Sequence, residues 1–550
     1  MLQDHRQKIF EGNHSLIFTD ILQDFEGPVI VKVLKKEFPS LSEIVQFNNE
    51  FEFTRDLNIQ GVRKAYDKTK IENQPALILE YIQGQTLKTE LQTASYPISR
   101  LLELAINIVQ TLEEIHKQGI IHKDINPANI LIEGKSGKPY LIDFGISSKI
   151  DLKISFWGNP NLLEGTLAYI SPEQTGRMNR VIDYRTDLYS FGVTLYEMLT
   201  LQLPFVAEDS ISWVHTHIAK EPLAPHLINT DIPENLSRIV LKLMAKNAEE
   251  RYQSAFGLKQ DLEQLLQTLS EKTSSMFVMG KHDFSAKLHI PQKLYGRDKE
   301  SETLLSAFER SSLGSQELLL ISGYSGVGKT ALVNQIHKPI TEKQGYFISG
   351  KFDQFQRNIP YSAFTQAFNQ FCNFLMTESE ASLLEWSQLI LNGVGQNGQV
   401  LLDIIPKLEN IIGPQPEIPE LGPQESQNRF NIYFGYFIKA ISHTKHTLTI
   451  FIDDFQWADL ASLELLKLVF SEPCPLLLIA AYRDNEVTPK HPFMLTLDEI
   501  KSQQLNINQI HLRSLILEDV EALVTETLET NNKSSLKKLI DLIYEKTHGN

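Results

Sequence analysis

The chain has 550 residues, 22% of them charged and 42% apolar, with a formal net charge of −16. That length is too great for one core and sets an expectation of two to four domains. The acidic balance argues against nucleic acid or an anionic membrane surface as partner, since both call for a basic face. Cys372 and Cys474, the two cysteines, read as buried thiols of a reducing compartment. The N-terminus MLQDHRQKIF has no apolar signal core. No window holds the eighteen or more apolar residues of a membrane span, so a soluble, cytoplasmic chain is expected.

In chain order, FEGNHSLIF holds Gly12 between two strand-like runs. VIVKVL is an alternating strand that puts Lys32 on the face opposite Val31 and Val33. The stretch from Ser40 opens with Ser40 and Glu43 in capping-box spacing. Ile44, Phe47 and Phe51 then form a helical stripe, with Glu50 beside it and Glu52 as the alternative acid. LILEYIQG is a strand that ends at Glu80 and passes through Ile82 into a linker. A long amphipathic helix runs from about Ile98 to Gln118 and stops at Gly119. Then comes IIHKDINPANILIEGKSGKPYLIDFG, with Asp124 and Asn129 in H-x-D-x-x-x-x-N spacing and Asp143 in D-F-G. Glu173, Asp187 and Arg251 follow in SPEQ, DLYSFG and EERYQ.

These residues, in this order and spacing, resemble the protein-kinase fold over about 260 residues. The resemblance implies ATP and Mg2+ as ligands. Lys32 would hold the α- and β-phosphates and Glu50 would hold Lys32. The backbone at Glu80 and Ile82 would take the adenine edge, and Gly12 would help cover the phosphates. Asp124 would accept the substrate hydroxyl proton, and Asn129 and Asp143 would bind magnesium. Glu173 and Arg251 would form a buried structural ion pair. There are two departures. Gly12 is the one glycine kept of G-x-G-x-x-G, which weakens the phosphate cover. Asn126 stands where the family has a lysine aimed at the γ-phosphate. A neutral donor there slows transfer by about ten- to thirtyfold, so Asn126→Lys is expected to raise the rate modestly. Lys123 keeps the positive charge that the family places before Asp124, so control by activation-loop phosphorylation stays open.

Residues 269–293, polar and without sustained periodicity, read as a linker. From Leu294 onward, short apolar strands alternate with amphipathic helices, the pattern of a parallel sheet. LLLISGYSGVGKTALV is strand, glycine-rich turn and helix, and its Gly323, Gly328, Lys329 and Thr330 match G-x-x-x-x-G-K-[ST]. The glycines, Gly326 included, let backbone N–H groups close on phosphates; Lys329 reaches the β/γ-phosphates and Thr330 ligates magnesium. TLTIFIDDFQWAD supplies the partner strand, with Asp453 on magnesium and Asp454 orienting the attacking water. Arg483 ends another strand and reads either as a γ-phosphate sensor or as a surface charge.

This half resembles the AAA-like signalling P-loop ATPases of the STAND class. LYGRDKE around Gly296 and Arg297, KFDQFQRNIPYSAF, and the run around Trp457 carry the likeness too. The expected class is multidomain: an α+β bilobal protein-kinase fold over 1–268, a linker over 269–293, and an α/β P-loop NTPase with a parallel sheet over 294–550. The family's helical lid is expected to be cut off after THGN, so a fragment is expected. A kinase followed by such an ATPase resembles the N-terminal part of cyanobacterial-type signalling proteins that continue into a sensor domain and a histidine kinase. The implied partners are protein substrates, the chain itself among the candidates, and those downstream domains. Two functions stay open. One is a serine/threonine kinase fused to an ATPase switch. The other is a slow or inactive kinase scaffold with nucleotide-dependent oligomerisation. A DNA-binding regulator would need a basic helix-turn-helix, and none is found.

Overall fold

The computed structural model describes residues 6–12, 15–36, 39–71, 74–149, 165–176, 182–207, 209–271, 277–284, 293–343, 345–354, 359–376, 378, 380–419, 421–442, 446–471, 473–501, 506–528 and 533–550. Asn13 and His14 of the glycine-loop stretch, most of the expected linker, and the FQRN of the KFDQFQRN run lie outside them. The chain forms two compact units, one mostly from residues up to Lys287 and one mostly from Leu288 onward.

The first unit opens with five antiparallel strands: β1 (Gln7–Glu11), β2 (Ser15–Ile21), β3 (Pro28–Leu34), β4 (Ala65–Ile71) and β5 (Gln74–Glu80), in the order β1-β2-β3-β5-β4. Strand period sorts β3 cleanly. Val29, Val31 and Val33 join one apolar cluster, and Ile30 and Leu34 join another with Phe47 of helix α1 (Leu41–Thr54). Lys32 shares the α1 face by the same alternation. Ser40 caps α1 through the Glu43 backbone, and the Glu43 carboxylate accepts from Ser40 N, so the capping box sets where the helix starts.

The lower part is helical. Helix α2 (Ile98–Lys117) packs its apolar stripe on α4 (Ala255–Glu271), and α3 (Arg185–Thr200) is buried almost throughout. Gly119, at φ 73°, turns the chain out of α2 into the short strand Ile120–Ile121. Arg251 meets Glu173 through two parallel bonds of 2.7 and 2.9 Å, with both residues buried. Burial opposes the Glu173 charge, but Arg251 more than offsets it and the carboxyl falls to about 2. The linker reading is corrected in part. Residues 277–284 are bound to this unit: Asp283 accepts from Gln253 N and Ser254 N at 2.9 and 3.0 Å, and Gly280 N donates to Asp261 at 2.7 Å.

The Glu173 pair predicts an acid sensitivity. A group whose folded pKa is depressed contributes its stability above its ordinary value and loses it as pH falls toward the folded one. The contribution is roughly 3 kcal/mol by the size of the shift. Stability of the first unit should drop between about pH 4.5 and 2. Glu173→Gln should be less stable than wild type at about pH 7; denaturant titration of both proteins there, and of wild type across the acid range, checks both.

The second unit is a five-stranded parallel sheet. Its strands are β6 (Gln316–Ser322), β7 (Tyr346–Lys351), β8 (Leu448–Asp453), β9 (Leu476–Tyr482) and β10 (Asn506–His511), in the order β7-β8-β9-β6-β10. Helices cover both faces, so alternate strand residues enter different cores. Leu318 and Leu320 lie in one, Leu319 and Ile321 in the other. Burial on both faces is why these strands read as unbroken apolar runs. Their C-terminal ends converge where the chain leaves β6 for helix α5 (Lys329–Val333), the crevice where open α/β sheets place ligands.

Candidate functional site

The first cleft is built around Lys32. Its Nζ donates to Glu50 Oε2 at 2.6 Å and to Asp143 Oδ1 at 3.2 Å. Glu50 is 2% exposed, while Glu52, two residues on and on the outer face, pairs at 3.5 Å with half-exposed Arg55. Glu50 has a second partner that sequence reasoning missed: Arg63 Nη2 at 3.1 Å. Burial opposes the Lys32 charge, but Asp143 and Glu50 more than offset it, so its pKa rises. Desolvation likewise opposes the Asp143 charge, and Lys32 holds that carboxyl below its usual range.

Asp187 fixes the loop below. Its carboxylate accepts from His122 N at 2.9 Å, Lys123 N at 2.7 Å and His116 Nε2 at 2.9 Å. Lys123 at φ 69° and Asp143 at φ 67° hold left-handed backbone, an uncommon state for non-glycine residues that redirects a side chain at a turn. The Asp124 carboxylate is then held on three sides. Oδ1 accepts from Thr166 N at 2.9 Å and Asn126 Nδ2 at 3.1 Å, and Oδ2 accepts from Asn129 Nδ2 at 2.7 Å. The sequence alone does not single out Thr166. Its distance in sequence hid a partner that the fold brings to Asp124.

Asn126 is placed differently from the sequence expectation. It is 2% exposed. Its Nδ2 reaches Asp124 and Thr166 Oγ1, and its Oδ1 accepts from Ala128 N at 3.0 Å as the cap of a short 3-10 turn. The amide is spent on Asp124 and on the turn. The expected gain from Asn126→Lys is therefore withdrawn. The ammonium can keep the contact with Asp124 but cannot accept from Ala128 N. The variant should lose about 1 kcal/mol of stability and change the transfer rate by less than about threefold. Thermal melts and initial rates on one preparation test both halves.

Gly12 N donates to Ser15 O at 2.9 Å at the turn between β1 and β2, beside an exposed Phe10. Glu80 ends β5 opposite Val29, and its carboxylate accepts from Lys64 N at 3.2 Å. Ile82 is 9% exposed.

In the second unit, Gly323 (φ 150°), Gly326 (φ 84°) and Gly328 (φ 99°) shape the turn after β6. A Cβ on Gly323 would stand 2.7 Å from Leu512 O, so this position admits only glycine. A cleft of about 270 Å³ lies over the turn, lined by Gly328, Lys329, Thr330, Asp453, Asp454 and Arg483, with Lys351 at its edge. Lys329 Nζ donates to Gly323 O at 2.8 Å and Tyr324 O at 2.9 Å. Asp454, at φ 53° and 3% exposed, is gripped by Lys351 at 3.1 Å, Arg483 Nε at 3.2 Å and Gln456 Nε2 at 3.1 Å. Arg483 also meets Glu486 at 2.8 Å and lies 4.8 Å from the Trp457 ring. Lys351 was quoted within KFDQFQ for its likeness alone. Its place at the end of β7, in register with Asp453, is a property of the sheet. Arg297 donates to Arg513 O, tying the LYGRDKE stretch to the loop after β10. Asn550 Nδ2 donates to Ser325 O at 3.3 Å, so THGN folds back on the glycine turn.

The two adjacent aspartates are pushed apart. Burial and then the Asp454 charge raise Asp453. Burial opposes Asp454 as well, but Gln456 and Lys351 more than offset it and lower its pKa. Burial also lowers Lys329. Asp453 is thus a carboxylate short of positive charge, and Lys329 a cation short of negative charge. Both shortfalls fit a Mg2+–polyphosphate. Among the described residues, no group of three or more His, Cys, Asp or Glu forms a self-sufficient metal cage. Magnesium would take most of its ligands from phosphate and water, its habit in nucleotide sites. Asp143, 44% exposed at the cleft beside Lys32, fits the same chemistry.

Known proteins divide the chain at the same place. Residues 4–268 match the protein kinase domain family, and residues 293–479 match the AAA ATPase domain family. The chain is similar to hybrid signal transduction histidine kinase G of Dictyostelium discoideum, 34% identical over 464 residues, which is 68% of this chain and 13% of that protein. A probable serine/threonine-protein kinase of Clostridium perfringens is 33% identical over 274 residues, 49% of this chain and 39% of that protein. Serine/threonine-protein kinase PknB of Mycobacterium leprae is 33% identical over 240 residues, 42% of this chain and 38% of that protein. The chain thus spans well under half the length of each of these relatives. Among the described residues, no helix is long and apolar enough to cross a membrane.

Proposed function

We propose that the first domain transfers the γ-phosphate of ATP to serine or threonine hydroxyls of proteins, itself among them, and that the AAA ATPase domain is a nucleotide-driven switch on that output. The observation that carries the first half is Lys32 within bonding distance of both Glu50 and Asp143. Lys32 then meets the α- and β-phosphates with its charge intact, and the backbone at Glu80 and Ile82 holds the adenine. Asp124 Oδ1 and Oδ2 already accept three bonds, and a carboxylate has about four acceptor sites. The remaining site takes the substrate hydroxyl proton. Asn129 and Asp143 hold magnesium, which when bound neutralises charge on the phosphates. In the second domain Lys329 turns from its two carbonyls to the β/γ-phosphates, Thr330 and Asp453 hold magnesium, and Asp454 orients water. Arg483 leaves Asp454 for the γ-phosphate. Sensor and histidine-kinase domains in the same protein, and a cytoplasmic location, belong to this reading.

The second reading is a scaffold with little transfer. It draws on Gly12 as the one glycine of its loop and on a buried, uncharged Asn126. Incubation with labelled ATP and either magnesium or manganese decides between the two. Phosphoserine or phosphothreonine on the chain or on a generic substrate supports the kinase. No transfer with either metal leaves the scaffold.

A further inference from the structure

Glu50 carries two cations. Oε2 takes Lys32, and Oε1 takes Arg63 Nη2 at 3.1 Å, with the Arg63 and Glu50 side chains only 9% and 3% exposed. We propose that Arg63 is a positioning residue for phosphate transfer, holding Glu50, and through it Lys32, in the closed arrangement from inside the domain. The proposal rests on the kinase reading above.

Arg63 grips both parts that must meet. Its backbone N donates to Leu141 O at 3.1 Å, and Leu141 N donates to Gly61 O at 2.7 Å, in a parallel bridge centred on Val62. Leu141 ends the strand Pro139–Leu141 that delivers Asp143. The Arg63 side chain meanwhile holds the carboxylate that α1 delivers. One residue therefore sets the distance between the helix that supplies Glu50 and the strand that supplies Asp143. A second tie, Asn49 Nδ2 to Gly145 O at 3.2 Å, joins the same two parts.

The chemistry of the pair makes the hold firm. A guanidinium does not discharge to escape burial. If α1 swung outward, Arg63 would stay behind as a buried charge without its partner, an expensive state. A carboxylate has acceptor sites enough for both cations, so holding Arg63 does not cost Lys32 its bond. If Arg63 merely bolted the fold, its loss would change stability and leave the chemistry of the surviving folded molecules alone.

The experiment uses the full chain carrying Lys329→Ala, which empties the second nucleotide site. Arg63→Met keeps much of the stem and removes the charge. It should lower kcat about tenfold, leave KM for the protein substrate unchanged, and weaken MgATP binding, read by displacement of a fluorescent analogue, by a similar factor. Arg63→Lys should restore most of both. In a Glu50→Gln background, Arg63→Met should do nothing further. Two results overturn the proposal: a lowered Tm with kcat and MgATP affinity both within about twofold of the Lys329→Ala parent, or an undiminished effect in the Glu50→Gln background. If the wild type transfers no phosphate, the kinase reading falls, and MgATP affinity still decides the role of Arg63. If Arg63→Met does not fold, Arg63→Gln carries the same comparison: a loss seen with Glu50 in place and absent in the Glu50→Gln background supports the proposal, and no loss overturns it.

Discussion

Asp124→Asn is expected to lower phosphate transfer by about a thousandfold or more while leaving MgATP affinity within about twofold. The carboxylate accepts three hydrogen bonds, from Thr166 N, Asn126 Nδ2 and Asn129 Nδ2, at 2.9, 3.1 and 2.7 Å. All three partners are donors. An asparagine amide has one oxygen, so its NH2 must face either Asn129 or the Thr166 and Asn126 pair. Either choice sets donor against donor, and the side chain must rotate away. The substitution therefore removes the base and also disturbs the geometry around it. In the proposed reading ATP is held by Lys32 and the Glu80–Ile82 backbone and not by this carboxylate, which is why binding should survive. Single-turnover transfer with labelled ATP, set beside nucleotide affinity, separates the two effects. Transfer within about tenfold of wild type would remove Asp124 from the base role.

What the sequence could and could not announce follows from the range of the interactions. Lys32 and Glu50 were legible because each sits in a local pattern: a period-2 strand for one, a capping box and helical stripe for the other. The glycine turn at 323–328 was legible for the same reason, since strand, turn and helix are consecutive. The partners of Asn126 were not legible because its orientation depends on Thr166, 40 positions away, and on a backbone turn that needs its side-chain oxygen. Arg63 looks like any charge at the edge of a strand, and only the bridge between Val62 and Leu141 makes it an interior residue. Lys351 is silent for a related reason, because its neighbour Asp454 directly follows the adjacent strand of a parallel sheet and parallel pairing leaves no local trace. The linker was judged on composition alone. Asp283 turns part of it into bound structure by accepting from the two backbone N–H groups just before α4, and polarity cannot distinguish a solvated aspartate from a capping one.

Lys329→Ala and Asp454→Asn are expected to trap opposite states of the second domain. Lys329 Nζ rests on Gly323 O and Tyr324 O at 2.8 and 2.9 Å, with burial lowering its pKa, so it gains by turning to phosphate oxygens. A charge-assisted bond contributes roughly 1.5–3 kcal/mol. Losing the lysine should therefore weaken ATP binding by about a hundredfold and leave the empty state. Asp454 is the opposite case. It is clasped by Lys351 and Arg483, both of which border the phosphate cleft. Neutralising it frees two cations for the γ-phosphate, so ATP should bind at least as tightly as before. Hydrolysis should fall by about a hundredfold or more if, as proposed, Asp454 orients the attacking water. A switch needs two conformations that ATP binds unequally, since equal affinity shifts nothing however tight the binding. The two variants should then differ from each other in assembly size, in kinase rate, or in both, with wild type between them. Light scattering and a transfer assay, each with and without ATP, read the two outputs. If both variants match wild type in size and in transfer rate, ATP in the second domain does not speak to the first, and the AAA ATPase domain must answer to a different part of the protein.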